Sequence, residues 1–267
     1  MIDIKQHLSN QYQMFNGSSN DITLQTLLWR YMTFAKFCWL LENHLLYHTR
    51  IDQFDDVFEG AVTDAYAKRR DSGEIEPHFS QKEFEPWIFK CNRFRQFATC
   101  WHVSQYESDA LWKLYAVGEA GIAVVSTMER VQQSVVIPAS STGILGQVEY
   151  VDFETHDIIR DGGCTVIRPG FLKRRSFQHE RKVRGIIMTN LIVDGGRFTM
   201  DEAFIAKQRD QQPPGIDAQV DLKGLLHSIV ISPLAKPFVE KLVHIITKRH
   251  GLGHLVRKSD LIKSPVY

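Results

Sequence analysis

Residues 27–50, LLWRYMTFAKFCWLLENHLLYHTR, constrain the fold most, because their hydrophobic period changes twice within a short stretch. Residues 27–33 read as a strand, residues 34–43 place apolar side chains at helical spacing, and residues 44–50 return to a strand. The sequence therefore predicts a strand, a short helix and a second strand at the start of the core.

The later segments continue this mixture of elements without a regular βαβ alternation. The predicted strands are 96–104, 120–127, 144–153, 182–193 and 225–232. The predicted helices are a short one before residue 15, then 80–94, 108–116 and 236–249, with loops at 15–21 and 209–217. We therefore expect a single α+β domain over residues 1–267, with a mixed or antiparallel sheet and flanking helices. Its core motifs span residues 27–193, and a C-terminal strand and helix occupy residues 217–262.

The composition narrows the class of protein. The chain has 267 residues, of which 43% are hydrophobic, enough for a sizeable core. With 32 Lys and Arg against 31 Asp and Glu, the formal charge of +1 argues against a protein that coats nucleic acid but allows a local basic groove. No apolar stretch approaches the roughly 20 residues of a membrane span, and the N-terminus lacks the apolar region of a signal peptide. The four cysteines are widely spaced, which favours reduced thiols. We expect a cytoplasmic protein that does not enter a membrane.

The first motif whose side chains could take part in binding or catalysis is WRYMT, residues 29–33. Strand alternation places Trp29, Tyr31 and Thr33 on one face and Arg30 with Met32 on the other. An ordinary strand with one arginine reaching towards solvent would look like this. Alternatively, Arg30 and Tyr31 line a cleft at the end of the strand.

An acidic segment, RIDQFDDVFEG at residues 50–60, follows the second strand. The carboxylates of Asp55, Asp56 and Glu59 are the type of ligand that hard divalent cations prefer. Acids at the start of a helix also cap its free backbone N–H groups. We expect this second role, and therefore no metal.

Aromatic and polar residues surround the predicted helix at 108–116. Trp112 and Tyr115 lie three residues apart and share a helical face, which suits either the core or a wall for a planar ring. The residues at the exit of the preceding strand are Trp101, His102, Ser104 and Tyr106.

Residues 171–187, FLKRRSFQHERKVRGII, place one acid, Glu180, among many cations. If Glu180 enters a strand, it shares a face with Lys182 and Arg184, and residues 173–175 add three more cations. Neighbouring cations would keep such a carboxylate ionised, while the cations themselves suit phosphate groups. A neutralised surface strand would show the same pattern.

Four motifs in this order resemble a bacterial family catalogued as a domain of unknown function, whose members are reported beside phage-defence and abortive-infection genes. The motifs are RYMT (30–33), QFDDVFEG (53–60), SQYESDALWKLYAVGEAGIAV (104–124) and SFQHERKVR (176–184). Here DDV replaces the Asn-Asp-Pro of the family, and QHER keeps one acid where the family has a pair.

The order of these motifs is also similar, more distantly, to that of ADP-ribosyltransferases. The resemblance implies NAD as the cofactor, Glu180 and Arg30 as the catalytic pair, no metal, and a macromolecular acceptor, either protein or nucleic acid. The residues it implies for binding NAD are Tyr31, Thr33, Tyr47, Ser104, Trp112, Tyr115, Arg175 and Arg184. A fixed carboxylate would stabilise the oxocarbenium-like state formed when the bond to nicotinamide breaks.

Two other functions fit the same sequence. The first is a metal-dependent nuclease that uses Asp55, Asp56 and Glu59 and holds nucleic acid with the basic residues of 173–184. The second is a non-catalytic module in which the aromatic and basic residues recognise a ligand or nucleic acid.

Overall fold

The computed structural model describes residues 10–15, 22–74, 83–116, 118, 120–158, 166–193 and 199–266. These residues form a single α+β domain built on a ten-stranded mixed sheet, with a separate two-stranded sheet and flanking helices. The predicted fold class is therefore confirmed. The predicted N-terminal helix and the first residues of the predicted helix at 80–94 lie outside the described residues.

Residues 27–50 form a strand, a helix and a second strand, in the order that their sequence predicts. The strands are β1 (Gln13–Met14), β2 (Leu27–Thr33), β3 (Leu45–Arg50), β4 (Gln96–Val103), β5 (Gly121–Thr127), β6 (Thr142–Gln147), β7 (Glu149–Val151), β8 (Leu172–Arg174), β9 (Lys182–Met188), β10 (Gly215–Gln219), β11 (Ser228–Ile231) and β12 (Val256–Lys258). The helices are α1 (Phe34–Asn43), α2 (Asp64–Ser72), α3 (Phe84–Arg95), α4 (Asp109–Tyr115), α5 (Met128–Ser134), α6 (Glu202–Gln211), α7 (Leu222–Leu225) and α8 (Pro237–Arg249).

The main sheet runs in the order β1-β6-β9-β4-β2-β5-β11-β12, with β3 and β10 joined to it through β4. Most neighbours are antiparallel, whereas β1 with β6 and β11 with β12 are parallel. The small sheet pairs β7 with β8 in parallel. The expected mixed sheet is thus confirmed.

The sheet forks at β4. One edge of β4 pairs with β9 from Gln96 to His102, but its other edge is divided between two strands. Residues 97–98 pair with the end of β3, and residues 102–103 pair with the start of β2. The strand β2 thus pairs with the C-terminal end of β4, and β3 pairs with its N-terminal end. Two arms, β2-β5-β11-β12 and β3-β10, therefore diverge from this shared strand.

The main core lies where α1, α5, α7 and α8 cover the sheet. Leu28 and Met32 of β2 belong to it, whereas Trp29 and Tyr31 pack in a second cluster with Trp112. This division confirms the strand alternation predicted for residues 29–32. Within the described residues, no helix combines the length and apolarity needed to cross a bilayer.

Several element boundaries differ from the predicted ones. The predicted strand 144–153 is two strands, because β6 pairs with β9 while β7 pairs with β8. The predicted loop at 209–217 instead contains the end of α6 and the start of β10. The condition that Glu180 enters a strand is not met, because Glu180 ends a 3₁₀ helix, Arg175–Glu180, and β9 begins two residues later.

Candidate functional site: a cleft at the fork of the sheet

A cleft of about 590 Å³ opens where the two arms diverge from β4. Its lining comes from β2, α1, β3, β4, α4, β8, β9 and β10, together with the acidic segment and the 3₁₀ helix that ends at Glu180. Ligand sites in proteins are concave, mostly apolar and carry a few convergent polar groups, and clefts of this size hold small-molecule ligands. The divided edge of β4 therefore creates the candidate site.

Arg30 of β2 lies in the gap between the arms. Its Nη1 donates to the Thr99 hydroxyl and, at 3.2 Å, to the carbonyl of Cys100, while Nη2 donates to the carbonyl of Tyr47 at 3.4 Å. Burial lowers the pKa of this guanidinium, but an arginine keeps its charge at neutral pH. Within the described part of the chain, no carboxylate pairs with it. Arg30 is thus a lining cation whose charge is not balanced by an ion pair.

Glu180 is fixed by three donors. Its Oε1 accepts from the Tyr115 hydroxyl at 2.7 Å and lies 3.0 Å from Nζ of Lys182, and its Oε2 lies 2.9 Å from Nζ of Lys173. His102 Nδ1 donates to the backbone carbonyl of Glu180 at 2.7 Å, which holds the main chain in place. Both the side chain and the backbone of Glu180 therefore have a defined orientation.

These contacts keep Glu180 ionised. Burial alone would raise its pKa, but the charge of Lys182 and the hydrogen bonds from Lys173, Tyr115 and Lys182 outweigh it and lower the pKa to about 2. Burial and the bond to Glu180 raise the pKa of Tyr115, so its hydroxyl stays protonated and donates. The expectation of an ionised carboxylate among cations agrees with this geometry.

A second carboxylate, Glu59, extends the network beneath Glu180. Nζ of Lys173 lies 3.1 Å from Glu59 Oε1, so this lysine bridges the two carboxylates. Arg184 is fully buried and its Nη2 lies 2.7 Å from Glu59 Oε2, while its Nη1 donates to the carbonyl of Gly170 at 2.7 Å. Within this network three cations, Lys173, Lys182 and Arg184, therefore face two carboxylates, Glu59 and Glu180.

Aromatic rings form the walls. We define the inner end of the cleft by Glu180, Lys173, Lys182, Tyr115 and Phe177, all of which line it. Nζ of Lys173 lies 4.2 Å from the centre of the Phe177 ring, and Nζ of Lys182 lies 5.3 Å from that of Tyr115. The inner end thus combines an ionised carboxylate with cations and flat apolar surfaces.

The structure brings together five of the ten residues that the sequence assigns to catalysis and NAD binding. These five, which line the cleft, are Arg30, Tyr31, Tyr47, Tyr115 and Glu180. The Tyr31 hydroxyl accepts from the backbone N–H of Ser108 at 2.8 Å, and burial raises its pKa to about 12. This hydroxyl therefore fixes the start of α4 in addition to lining the cleft.

The other five named residues do not line the cleft. Thr33 caps α1 by accepting from the N–H of Lys36, and Ser104 accepts from the N–H of Tyr106. Trp112 is buried and donates to Glu107 at 2.8 Å. Arg175 is exposed on the 3₁₀ helix, and Arg184 is sequestered by Glu59. Capping and turn hydrogen bonds, core packing and a buried ion pair occupy four of these side chains, and Arg175 lies outside the cleft lining, so the structure offers no support for a binding role of theirs.

The acidic segment fixes its own loop and the neighbouring 3₁₀ helix. Asp56 accepts from the N–H of Phe58 at 3.1 Å and pairs with Arg174 at 2.8 Å, while Asp55 is exposed at the cleft. The segment does not start an α-helix as expected, since it begins with a short 3₁₀ helix, Ile51–Gln53, and continues in bends and turns. Across the described ranges, no three His, Cys, Asp or Glu side chains are grouped so that they would hold a metal ion.

Sequence reasoning missed several lining residues. Trp39 on α1, Phe177 and Asp217 line the cleft, and the link from Glu59, itself named from the sequence, to Glu180 through Lys173 was also missed. The sequence carries one signal for Trp39, since at helical spacing it lies opposite the apolar face of Phe37, Leu40 and Leu41. The pairing of residues about 120 positions apart leaves no local signal.

Comparisons with protein-family models, curated proteins and solved structures give no match for this chain. The chemistry of the cleft is therefore inferred from its own residues.

Proposed function

We propose that this protein is an NAD-consuming enzyme of the ADP-ribosyltransferase type, in which the inner end of the cleft cleaves the bond between ribose and nicotinamide. One observation carries the proposal: a single cleft contains an ionised, oriented carboxylate, an arginine, Arg30, that has no carboxylate partner within the described residues, and aromatic walls. A dinucleotide with a pyrophosphate and flat rings matches all three features.

Glu180 supplies the negative charge that the reaction needs. The C1′–N bond breaks with its electron pair going to nicotinamide, which leaves as a neutral molecule and needs no proton. The ribose then carries positive charge, which a fixed carboxylate stabilises. An acceptor nucleophile bonds to C1′ and releases a proton. In this proposal the acceptor is a protein or nucleic acid, and water replaces it when NAD is hydrolysed.

The cations have two roles in this proposal. Lys173, Lys182 and the Tyr115 hydroxyl hold Glu180 in one orientation and keep it ionised. Arg30 has no carboxylate partner in the described ranges, so its charge is available to a phosphate of the substrate.

Glu180→Gln tests the proposal. The amide keeps the shape and can accept from Tyr115, but it removes the charge, so nicotinamide release from NAD should fall about 100-fold or more. The matched control is Glu154→Gln, the same change at an exposed glutamate outside the cleft lining, which should release nicotinamide at the wild-type rate.

Circular dichroism melts of both variants show whether Glu180→Gln remains folded at the assay temperature. Nicotinamide release is measured with and without EDTA, and we expect no effect of the chelator. Wild-type activity in a folded Glu180→Gln variant would rule out the assigned role. An activity that EDTA abolishes would favour a metal-dependent reaction.

A further inference from the structure

Two exposed aromatic side chains stand at the opening of the cleft. Trp39 of α1 is 50% exposed and Tyr47 of β3 is 40% exposed, yet both line the same cavity. Apolar rings that remain open to solvent within a cavity are unfilled contact surface, and flat rings favour planar ligands. We call Trp39, Tyr47 and Asp217 the outer end of the cleft.

The fold fixes the helix that carries Trp39 and the ring of Tyr47. Phe37, Leu40 and Leu41 anchor α1 in the main core and leave Trp39 on the outer face of the helix. The Tyr47 ring packs on Gly215 of β10 so closely that a Cβ added at Gly215 would collide with its hydroxyl and ring carbon. The Tyr47 ring is therefore preorganised and the helix that carries Trp39 is fixed, which lowers the entropic cost of binding a flat ligand.

A carboxylate accompanies the rings. Asp217 is exposed, lines the cleft, and lies directly opposite Tyr47 in the register of β3 and β10. A carboxylate accepts hydrogen bonds and donates none when ionised, so it favours a ring that carries an amino group.

We propose that the outer end binds a second ring of the substrate, namely an amino-purine base of the adenine type. This inference rests on the proposed function, because NAD carries adenine at the end opposite its nicotinamide. The reacting ribose then occupies the inner end beside Glu180, and the adenine base stacks on Trp39 and Tyr47 with its amino group towards Asp217.

Calorimetric titration with AMP tests the outer end without any bond cleavage. Trp39→Ala and Tyr47→Ala should each weaken AMP binding by roughly tenfold, the loss expected for one stacked base. The matched control is Tyr106→Ala, because Tyr106 is 80% exposed and does not line the cleft. This variant should bind AMP as the wild type does.

IMP replaces the amino group of AMP with a carbonyl and so tests the role of Asp217. The wild type should prefer AMP over IMP by about tenfold, and Asp217→Asn should reduce that preference to about twofold or less, because the amide can also donate. Failure of the wild type to bind AMP, or equal loss in Tyr106→Ala, would overturn the outer end as a base-binding site. An unchanged preference in Asp217→Asn would overturn the adenine assignment. Nicotinamide release from NAD is measured separately, so either result can fail while the proposed reaction stands.

Discussion

Replacing Arg184 by alanine should destabilise the protein strongly while an equivalent change at Arg175 should not. Arg184 is fully buried, donates to Gly170 and pairs with Glu59, which is itself 1% exposed. The Arg184→Ala variant leaves a buried carboxylate with Lys173 as its remaining partner. Arg175 is exposed and serves as the matched control.

The magnitude follows from the burial of the pair. Breaking a buried ion pair by removing one partner typically costs about 3–5 kcal/mol, whereas exposed substitutions stay within about 0.5 kcal/mol. For a domain of 267 residues, each kcal/mol shifts the melting temperature by about 2 °C, so Arg184→Ala should melt roughly 5–10 °C lower. Thermal unfolding followed by circular dichroism measures this directly.

A double variant separates two costs of Arg184→Ala, namely leaving Glu59 without its arginine and losing the packing of the arginine side chain. Glu59→Gln combined with Arg184→Met removes both charges and should be more stable than Arg184→Ala, because no buried carboxylate remains without its arginine. A melting temperature for Arg184→Ala within about 1 °C of that of Arg175→Ala would refute this account of the network.

Two further predictions concern acid stability and packing around Tyr12. Burial lowers the pKa of His48 to about 3 from its ordinary 6.5, so on acidification the unfolded chain takes up this proton first and the free energy of unfolding falls below about pH 6.5. Urea unfolding should show a loss of about 2 kcal/mol from this group between pH 7.5 and 5, and an unchanged loss in His48→Gln would contradict it. Gly185→Ala should cost about 1–3 kcal/mol, since its Cβ would lie 2.5 Å from the Tyr12 hydroxyl, whereas Gly253→Ala, where the nearest atom is 3.7 Å away, should melt as the wild type does. Equal melting temperatures of these two glycine variants would show that Tyr12 moves aside freely.

The sequence predicts the elements best where burial imposes a period. The bounds of α1 agree with the predicted 34–43, because Phe37, Leu40 and Leu41 reach the core at helical spacing. By contrast, α2 has Tyr66 as its one buried residue, so its sequence shows no apolar face and the helix was not predicted. The local hydrophobic pattern therefore predicts those elements whose buried residues recur at a regular spacing.

The site was predictable in its residue types more than in its geometry. A lone acid among cations directs attention to Glu180 and the early strand to Arg30, and both side chains line the cleft. Which cations contact Glu180 depends on the left-handed turn at Arg181, with φ of 38°, which separates the 3₁₀ helix from β9. The burial of Arg184 depends on Glu59, a residue 125 positions away. Such long-range pairing is set by the sheet register and has no local signature.

Because the sheet forks at β4, ligand binding in the cleft should be detectable as an increase in the stability of the domain. Residues that line the cleft come from both arms and from positions as far apart as Trp29 and Asp217, so no isolated fragment of the described chain holds the whole site. A ligand seated between the arms loses its contacts as soon as either arm separates from β4, which couples occupancy to unfolding of the whole domain. At a ligand concentration 100 times Kd, this linkage adds about 2.7 kcal/mol to the free energy of unfolding. A panel of nucleotides can therefore be ranked by the stability each one confers, before any product of a reaction is known.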